Sequence, residues 1–327
     1  MKRYVRRNFS KGLMFGAAIL VVWFFFLQIT NNEKTLSFPD LLNFSYQDEN
    51  IQPKPFLVVP NLKHDRQSAR NIVVVVLSKA SNILQRQTIR QTWGNQDMQI
   101  KYNFSVYFVV GKEERDINER GDIVQVDVVE DYYNLTDKTC AAFNWVTQFC
   151  REARYFFKVD DDVFLDLDFL IQIQTDSTYL PDDTILGSCQ LTASPERKWT
   201  KWQVSYGEYP FKTYPPFCNG PGYMMTLSTA HKVYVEMTKT RTFKLEDVYV
   251  GIVAYKLGLS IKHVENFVFN MNIYVFPWFL NDLFCRCHTI IHYATPENVQ
   301  QLWDGRAIIG RDKSDCSFWG IGKFLLT

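Results

Sequence analysis

An α/β fold with a largely parallel sheet is the architecture that the sequence predicts, and three observations predict it. Ile72-Val73-Val74-Val75-Val76-Leu77 is an unbroken apolar, β-branched run of strand length, the pattern of a strand covered on both faces. Val106-Tyr107-Phe108-Val109-Val110, ending at Gly111, and Tyr155-Phe156-Phe157-Lys158-Val159 have the same character. The segments between them, Ile83 to Gln91 and Lys138 to Arg151, read as helices. Strands alternating with helices are the sequence form of a sheet covered by helices.

Taken from the N-terminus, residues 1–11 carry Lys2, Arg3, Arg6, Arg7 and Lys11, and Gly12 to Ile29 then runs eighteen residues without a charge. That length spans a bilayer, and the basic flank puts residues 1–11 in the cytosol, 12–29 in the membrane and the rest in the lumen. A cleaved signal peptide starts the same way. Here the apolar stretch exceeds the usual h-region and Gln28-Ile29-Thr30-Asn31-Asn32 offers no small-x-small cleavage site, which favours an uncleaved signal-anchor. Residues 30–70 are polar and punctuated by Pro39, Pro53, Pro55 and Pro60, the composition of a stem. Residues 71–327 are enough for one large domain with a substantial core.

A lumenal domain accords with three N-glycosylation acceptor patterns, at Asn43, Asn103 and Asn134. A fourth, at Asn8, falls in the cytosolic tail. Seven cysteines are compatible with disulfides plus at least one free thiol. Cys285-Arg286-Cys287-His288 lacks the second ligand pair of a structural zinc site. The net charge of +1 includes the basic tail, so the lumenal part is slightly acidic and gives no reason to expect nucleic-acid binding.

Chemistry is expected where ligands bind in open α/β sheets, beyond the carboxyl ends of the strands. Asp160, Asp161 and Asp162 stand there, directly after Val159. Adjacent carboxylates in a poorly hydrated setting repel unless a cation balances them. Alternation along extended chain turns Asp160 and Asp162 to one side and Asp161 to the other. Their hard oxygens suit Mn or Mg, ions that bridge a carboxylate to nucleotide phosphates; the plain alternative is a solvated acidic turn.

Together, Arg86-Gln87-Thr88-Ile89-Arg90-Gln91-Thr92-Trp93-Gly94, Phe108-Val109-Val110-Gly111, Phe157-Lys158-Val159-Asp160-Asp161-Asp162-Val163-Phe164, Lys201-Trp202-Gln203-Val204-Ser205, Tyr214-Pro215-Pro216-Phe217-Cys218-Asn219-Gly220-Pro221-Gly222-Tyr223 and Glu246-Asp247-Val248-Tyr249-Val250-Gly251 resemble the β1,3-glycosyltransferase family. That family holds β1,3-galactosyltransferases, β1,3-N-acetylglucosaminyltransferases and, more distantly, fringe. The resemblance implies a GT-A, Rossmann-like nucleotide-sugar transferase domain with a mixed, largely parallel sheet, and a Golgi enzyme with a membrane anchor. It also implies a UDP-sugar donor, a divalent metal and a glycan acceptor on lipid or protein. Galactose is the expected sugar, with N-acetylglucosamine or N-acetylgalactosamine as alternatives. A non-catalytic glycan-binding or chaperone-like relative is the alternative of another class, and the acidic residues argue against it.

Residue by residue, the resemblance makes Asp162 the metal ligand, with Asp160 and Asp161 shaping the donor site. Asp247, at the start of an apolar helix, is the expected base, although an acidic residue there also serves as a helix cap. His292, in Ile290-Ile291-His292-Tyr293-Ala294-Thr295-Pro296, corresponds to the family's C-terminal His that completes the metal shell; His288 is the local competitor and simple packing the plain alternative. Arg86 and Arg90, four apart on one helix face, are candidates for donor phosphate, against surface solvation. Trp199, Trp202, Tyr214 and Glu246 are candidates for acceptor contacts, with core packing the default for any single aromatic. Gly220-Pro221-Gly222 reads as a tight turn beside the ligand.

Overall fold

The computed structural model describes residues 53–61, 70–112, 121–271 and 287–305. The proposed anchor at 12–29, the sequons at Asn8 and Asn43, Cys285 and Cys316 lie outside them. Among the described residues no helix is long and apolar enough to cross a membrane.

The main sheet is formed by β1 (Phe56–Val58), β2 (Ile72–Leu77), β3 (Phe104–Lys112), β4 (Ile123–Val129), β5 (Tyr155–Asp160), β7 (Thr184–Gln190), β8 (Phe217–Thr226) and β9 (Ser260–His263). A small second sheet joins β6 (Val163–Leu165), β10 (Val268–Asn270) and β11 (Ile290–His292). The strand order of the main sheet is β1-β4-β3-β2-β5-β8-β7-β9. Its centre is parallel, β2 pairing with both β3 and β5, and β3 with β4. Around β8 it turns antiparallel, to β5 on one side and β7 on the other. The sheet is therefore mixed, with parallel pairing concentrated in the three apolar strands read from sequence.

Every residue of β2 is buried, and its side chains divide between two cores. Val73, Val75 and Leu77 pack in one cluster with α3 (Leu135–Phe149), α5 (Leu227–Met237) and α6 (Glu246–Lys256). Ile72, Val74 and Val76 pack in the other, with α1 (Ile83–Gln91), α4 (Asp168–Thr175), α7 (Pro296–Gly305) and the small sheet. A short helix, α2 (Gln96–Lys101), precedes β3. Period-two alternation with apolar residues on both faces yields this two-sided burial.

Helix α1 has the bounds that the sequence predicts, whereas α3 starts and ends a little earlier than Lys138 to Arg151. Gly220-Pro221-Gly222 is not a turn: it lies inside β8. The last β5 partner is Gly222 opposite Val159, and the β7 register shifts between Gly187 and Cys189. Proline is tolerated where the ladder is already interrupted. Cys189 and Cys218, register partners on β7 and β8, form a disulfide. Cys140 and Cys150 are free thiols; burial pushes Cys150 up to about 12 and raises Cys140 as well, which keeps both in the unreactive thiol form.

Gly251 sets how closely α6 approaches β8. A Cβ there would stand 2.5 Å from Phe217 Cβ and 2.8 Å from the Pro216 carbonyl oxygen, so the helix would have to move. Gly251→Ala is expected to destabilise the protein by about 1–3 kcal/mol through overpacking, although alanine is the better helix former by about 1 kcal/mol. Chemical denaturation measures it, and an unchanged or raised midpoint would refute the close-packing argument.

Candidate active site

The carboxyl ends of β2 and β5, the middle of β8, the start of α6 and the end of β11 converge on a cleft of about 760 Å³. Asp160, Asp161 and Asp162 line it together with His292, Glu246, Asp247, Trp202 and Tyr214. The three aspartates divide between two sides, although Asp161 and Asp162 lie in the turn between β5 and β6 and not on the extended chain from which alternation is expected. Asp161 Oδ2 turns away to accept from Ser78 Oγ (2.6 Å) and Asn82 Nδ2 (2.9 Å) in the segment between β2 and α1. Asp160, Asp162 and His292 bring one ligand atom each to within 4.8 Å of one another.

Strand pairing brings His292 to the aspartates from a distant part of the chain. β11 runs antiparallel to β6, with His292 opposite Val163, and the Ala294 amide donates to the Asp162 carbonyl (2.9 Å). His292 Nε2 stands 3.5 Å from Asp162 Oδ1. Burial lowers the imidazole to about 4 despite the attraction of Asp160, so at neutral pH the ring is uncharged and Nε2 is available as a ligand. Asp162 moves the other way, pushed up to about 7 by burial and by the adjacent Asp160 and Asp161. Two carboxylates and a neutral imidazole form an oxygen-rich donor set that fits Mn or Mg, and the raised Asp162 shows the charge that a cation there would relieve.

Lys158 was not singled out by the sequence, yet it organises the centre of the site. Its side chain is wholly buried. Nζ contacts Asp160 Oδ1 (2.7 Å), the Gly220 carbonyl (2.5 Å) and, at 3.6 Å, Glu246 Oε2. Burial opposes its charge, but Asp160 and Glu246 outweigh that and raise its pKa, so it stays a cation. One signal was legible: a lysine amid the apolar residues of a buried strand needs an acidic partner.

Across the cleft Glu246 and Asp247 occupy the first turn of α6. Glu246, expected to meet the acceptor, is instead buried and committed: Tyr223 donates its hydroxyl to Oε1 (2.7 Å) while Oε2 faces Lys158. Burial pushes Glu246 up to about 7, with Lys158 opposing. Asp247 accepts from the Val248 amide (2.8 Å). The helix cap position itself is Leu245, with no side-chain cap. Burial raises Asp247 above the ordinary carboxylate value, against hydrogen bonds from the Val248 and Gly220 amides and the pull of Lys158, and a raised carboxylate is the better proton acceptor near neutral pH.

The two arginines do not line the cleft. Arg86 is buried, and its guanidinium donates to Ser78 Oγ (3.1 Å) and to the carbonyls of Lys79 (2.5 Å) and Ala80 (2.9 Å). It shapes the segment that grips Asp161 rather than offering donors to a phosphate. Arg90 is taken up bidentately by Asp122, at 2.8 Å through Nε and 2.8 Å through Nη2, over the Phe108 ring. Lys138, another cation missed in the sequence, supports the same segment through the Ser78 carbonyl (2.8 Å) and Glu130 (2.7 Å).

Of the aromatic candidates, Trp202 and Tyr214 line the cleft, and Lys201 Nζ lies between the Trp202 and Tyr132 rings at 4.8 and 5.5 Å. Trp199 is 93% exposed and outside the lining. His288 packs against Phe269 and is not part of the acidic cluster. Asn103 is exposed at a turn. At Asn134 the amide donates to Val129 and the Thr136 hydroxyl is buried against the Phe243 carbonyl.

The galactosyltransferase family pattern matches residues 84–265. The chain is 30% identical over 263 residues to beta-1,3-galactosyltransferase 5 of Homo sapiens, covering 77% of this chain and 82% of that protein. It is 31% identical over 245 residues to beta-1,3-galactosyltransferase 1 of Mus musculus, covering 71% and 73%. Among solved structures, a glycosyltransferase involved in the glycosylation of the major capsid of PBCV-1 overlays at a TM-score of 0.41 with 13% identity, covering 71% of this chain and 98% of that one. This chain belongs to the galactosyltransferase family, as the six motifs indicated, and is accordingly a hexosyltransferase.

Asp162 and Glu246 give the metal-free protein a defined pH dependence. The unfolded chain loses these protons near about pH 4, whereas the folded chain keeps them to about 7. Between those values the native state binds more protons, so stability falls as pH rises through the window. Thermal midpoints of EDTA-treated protein between about pH 4.5 and 7.5 should decline, and less steeply in Asp162→Asn. Equal slopes in variant and wild type would refute the assignment.

Proposed function

We propose that this protein is an inverting, metal-dependent β1,3-galactosyltransferase that moves galactose from UDP-galactose to a glycan acceptor on a glycolipid or glycoprotein. The observation that carries this reading is one cleft lined by the Asp160, Asp162 and His292 cluster and by the adjacent acids Glu246, buried, and Asp247, half-buried. The names of the relatives favour galactose. The eighteen-residue uncharged apolar segment at 12–29, read as an uncleaved anchor, supports a single-pass type II Golgi membrane protein with a lumenal catalytic domain of GT-A type.

Asp162 and His292 would hold Mn or Mg, with Asp160 beside them. Bound there, the cation supplies Lewis-acid stabilisation of the charge that develops on the departing UDP diphosphate. Asp247 accepts the proton of the acceptor hydroxyl as its oxygen bonds to C1 of the sugar and the C1–phosphate oxygen bond breaks. A single displacement turns the α-linked donor into a β-linked product. Lys158 neutralises Asp160 and Glu246, which leaves Asp247 as the acid of α6 free to take that proton. Trp202 offers a ring face to the acceptor sugar, whereas the Tyr214 ring is packed against Tyr209, Phe217 and Phe243.

Full-length protein given Mn, each UDP-sugar in turn and glycan acceptors should release UDP with UDP-galactose and stop on addition of EDTA. Asp247→Asn should lower kcat by about 10²- to 10⁴-fold, the usual range for losing a general base, with donor affinity nearly intact. A variant that turns over at the wild-type rate would remove Asp247 from the chemistry. Lys158→Met should destabilise the fold by about 3–5 kcal/mol, because the buried Glu246 and the half-buried Asp160 lose their counter-charge; equilibrium denaturation reads this, and a neutral result would contradict the role given to Lys158.

A further inference from the structure

We infer that Asn270 is a positioning residue that fixes the tautomer and orientation of His292 as a metal ligand, an inference that rests on the metal site proposed above. Asn270 Oδ1 lies 2.8 Å from His292 Nδ1. An amide oxygen only accepts, so Nδ1 carries the proton and the lone pair of the neutral ring sits on Nε2. That lone pair faces Asp162 Oδ1 at 3.5 Å. Below about pH 7 the Asp162 proton can sit between the two atoms; once that proton is lost both are acceptors, and a cation in its place would satisfy them together as part of a coordination shell.

The backbone makes the arrangement stiff. Asn270 and His292 are register partners on the parallel pair β10 and β11, and the Met271 amide donates to the His292 carbonyl (3.0 Å). Tyr293 adopts a left-handed backbone conformation, φ 57°, uncommon for a bulky residue, and its ring stacks on the imidazole with centroids 3.8 Å apart. The ring is clamped on one face and held at Nδ1, which leaves the Nε2 edge to face the aspartates. A neutral amide in this place orients the ligand without adding a third negative charge to the cluster.

The test measures Mn(II) binding to full-length protein by the electron paramagnetic resonance signal of the free ion, with UDP present, alongside thermal unfolding. Asn270→Leu should weaken Mn binding about 10- to 100-fold, as loss of a ligand's hydrogen-bond partner does elsewhere, while the conservative Asn270→Asp, which still accepts from Nδ1, should restore it to within a few-fold. ¹⁵N spectra of the histidine ring in metal-free wild type should show Nδ1 protonated, a readout that needs no variant. The inference fails if Nε2 carries the proton, or if Asn270→Leu binds Mn as wild type does while Asp162→Asn does not bind it. Wild-type binding in Asp162→Asn as well would overturn the metal site itself, and this inference with it.

Discussion

The site depends on one buried cation. An ammonium group removed from water is tolerated only where its charge and its three donors are matched, and Lys158 finds that match in Asp160, the Gly220 carbonyl and Glu246. These partners belong to three elements: the end of β5, the interrupted ladder of β8 and the first turn of α6. One interaction therefore registers the strand that carries the aspartates against the helix that carries Asp247. It also accounts for two acids side by side in sequence behaving differently, Glu246 held from both oxygens and Asp247 held only by backbone amides.

Around this centre polar groups are fastened in pairs from behind. Ser78 and Asn82 hold Asp161, and the segment bearing them is itself held by Arg86 from α1 and by Lys138 from α3. Charges that sequence reasoning would direct toward a ligand thus shape the loops that shape the site. Arg86 and Arg90 illustrate the point: carbonyls, a hydroxyl and a carboxylate within reach engage their guanidinium groups before any substrate arrives. Buried polar networks of this kind are costly when half-made and rigid when complete, and rigidity is what a cleft needs in order to hold three ligand atoms within 4.8 Å of one another.

Much of this was legible in the chain. Continuous apolar runs named β2, β3 and β5, and the run into the triple aspartate put carboxylates at a strand end; the turn after β5, rather than strand alternation, divides Asp160 and Asp162 from Asp161. Less was legible where partners are far apart in sequence. Glu246 was a candidate for acceptor contacts because nothing local announces Tyr223 or Lys158 as its partners. Gly220-Pro221-Gly222 has the composition of a turn, yet it serves as a strand because β5 and β7 flank it. Trp199 and Trp202 are indistinguishable by residue type, and only the path of the backbone puts one in the cleft and the other in solvent.

By itself the sequence determined the family, the central strands and the position of the acidic motif at a strand end, because hydrophobic periodicity and short motifs are local properties that survive without knowledge of the fold. Tertiary structure alone decided which polar groups meet. The Lys158 and Glu246 contact, the approach of His292 to Asp162 and the pairing of Asn270 with His292 all join residues brought together by strand register and helix packing. The energy of a buried charge is set by neighbours within a few ångströms, whatever their separation along the chain.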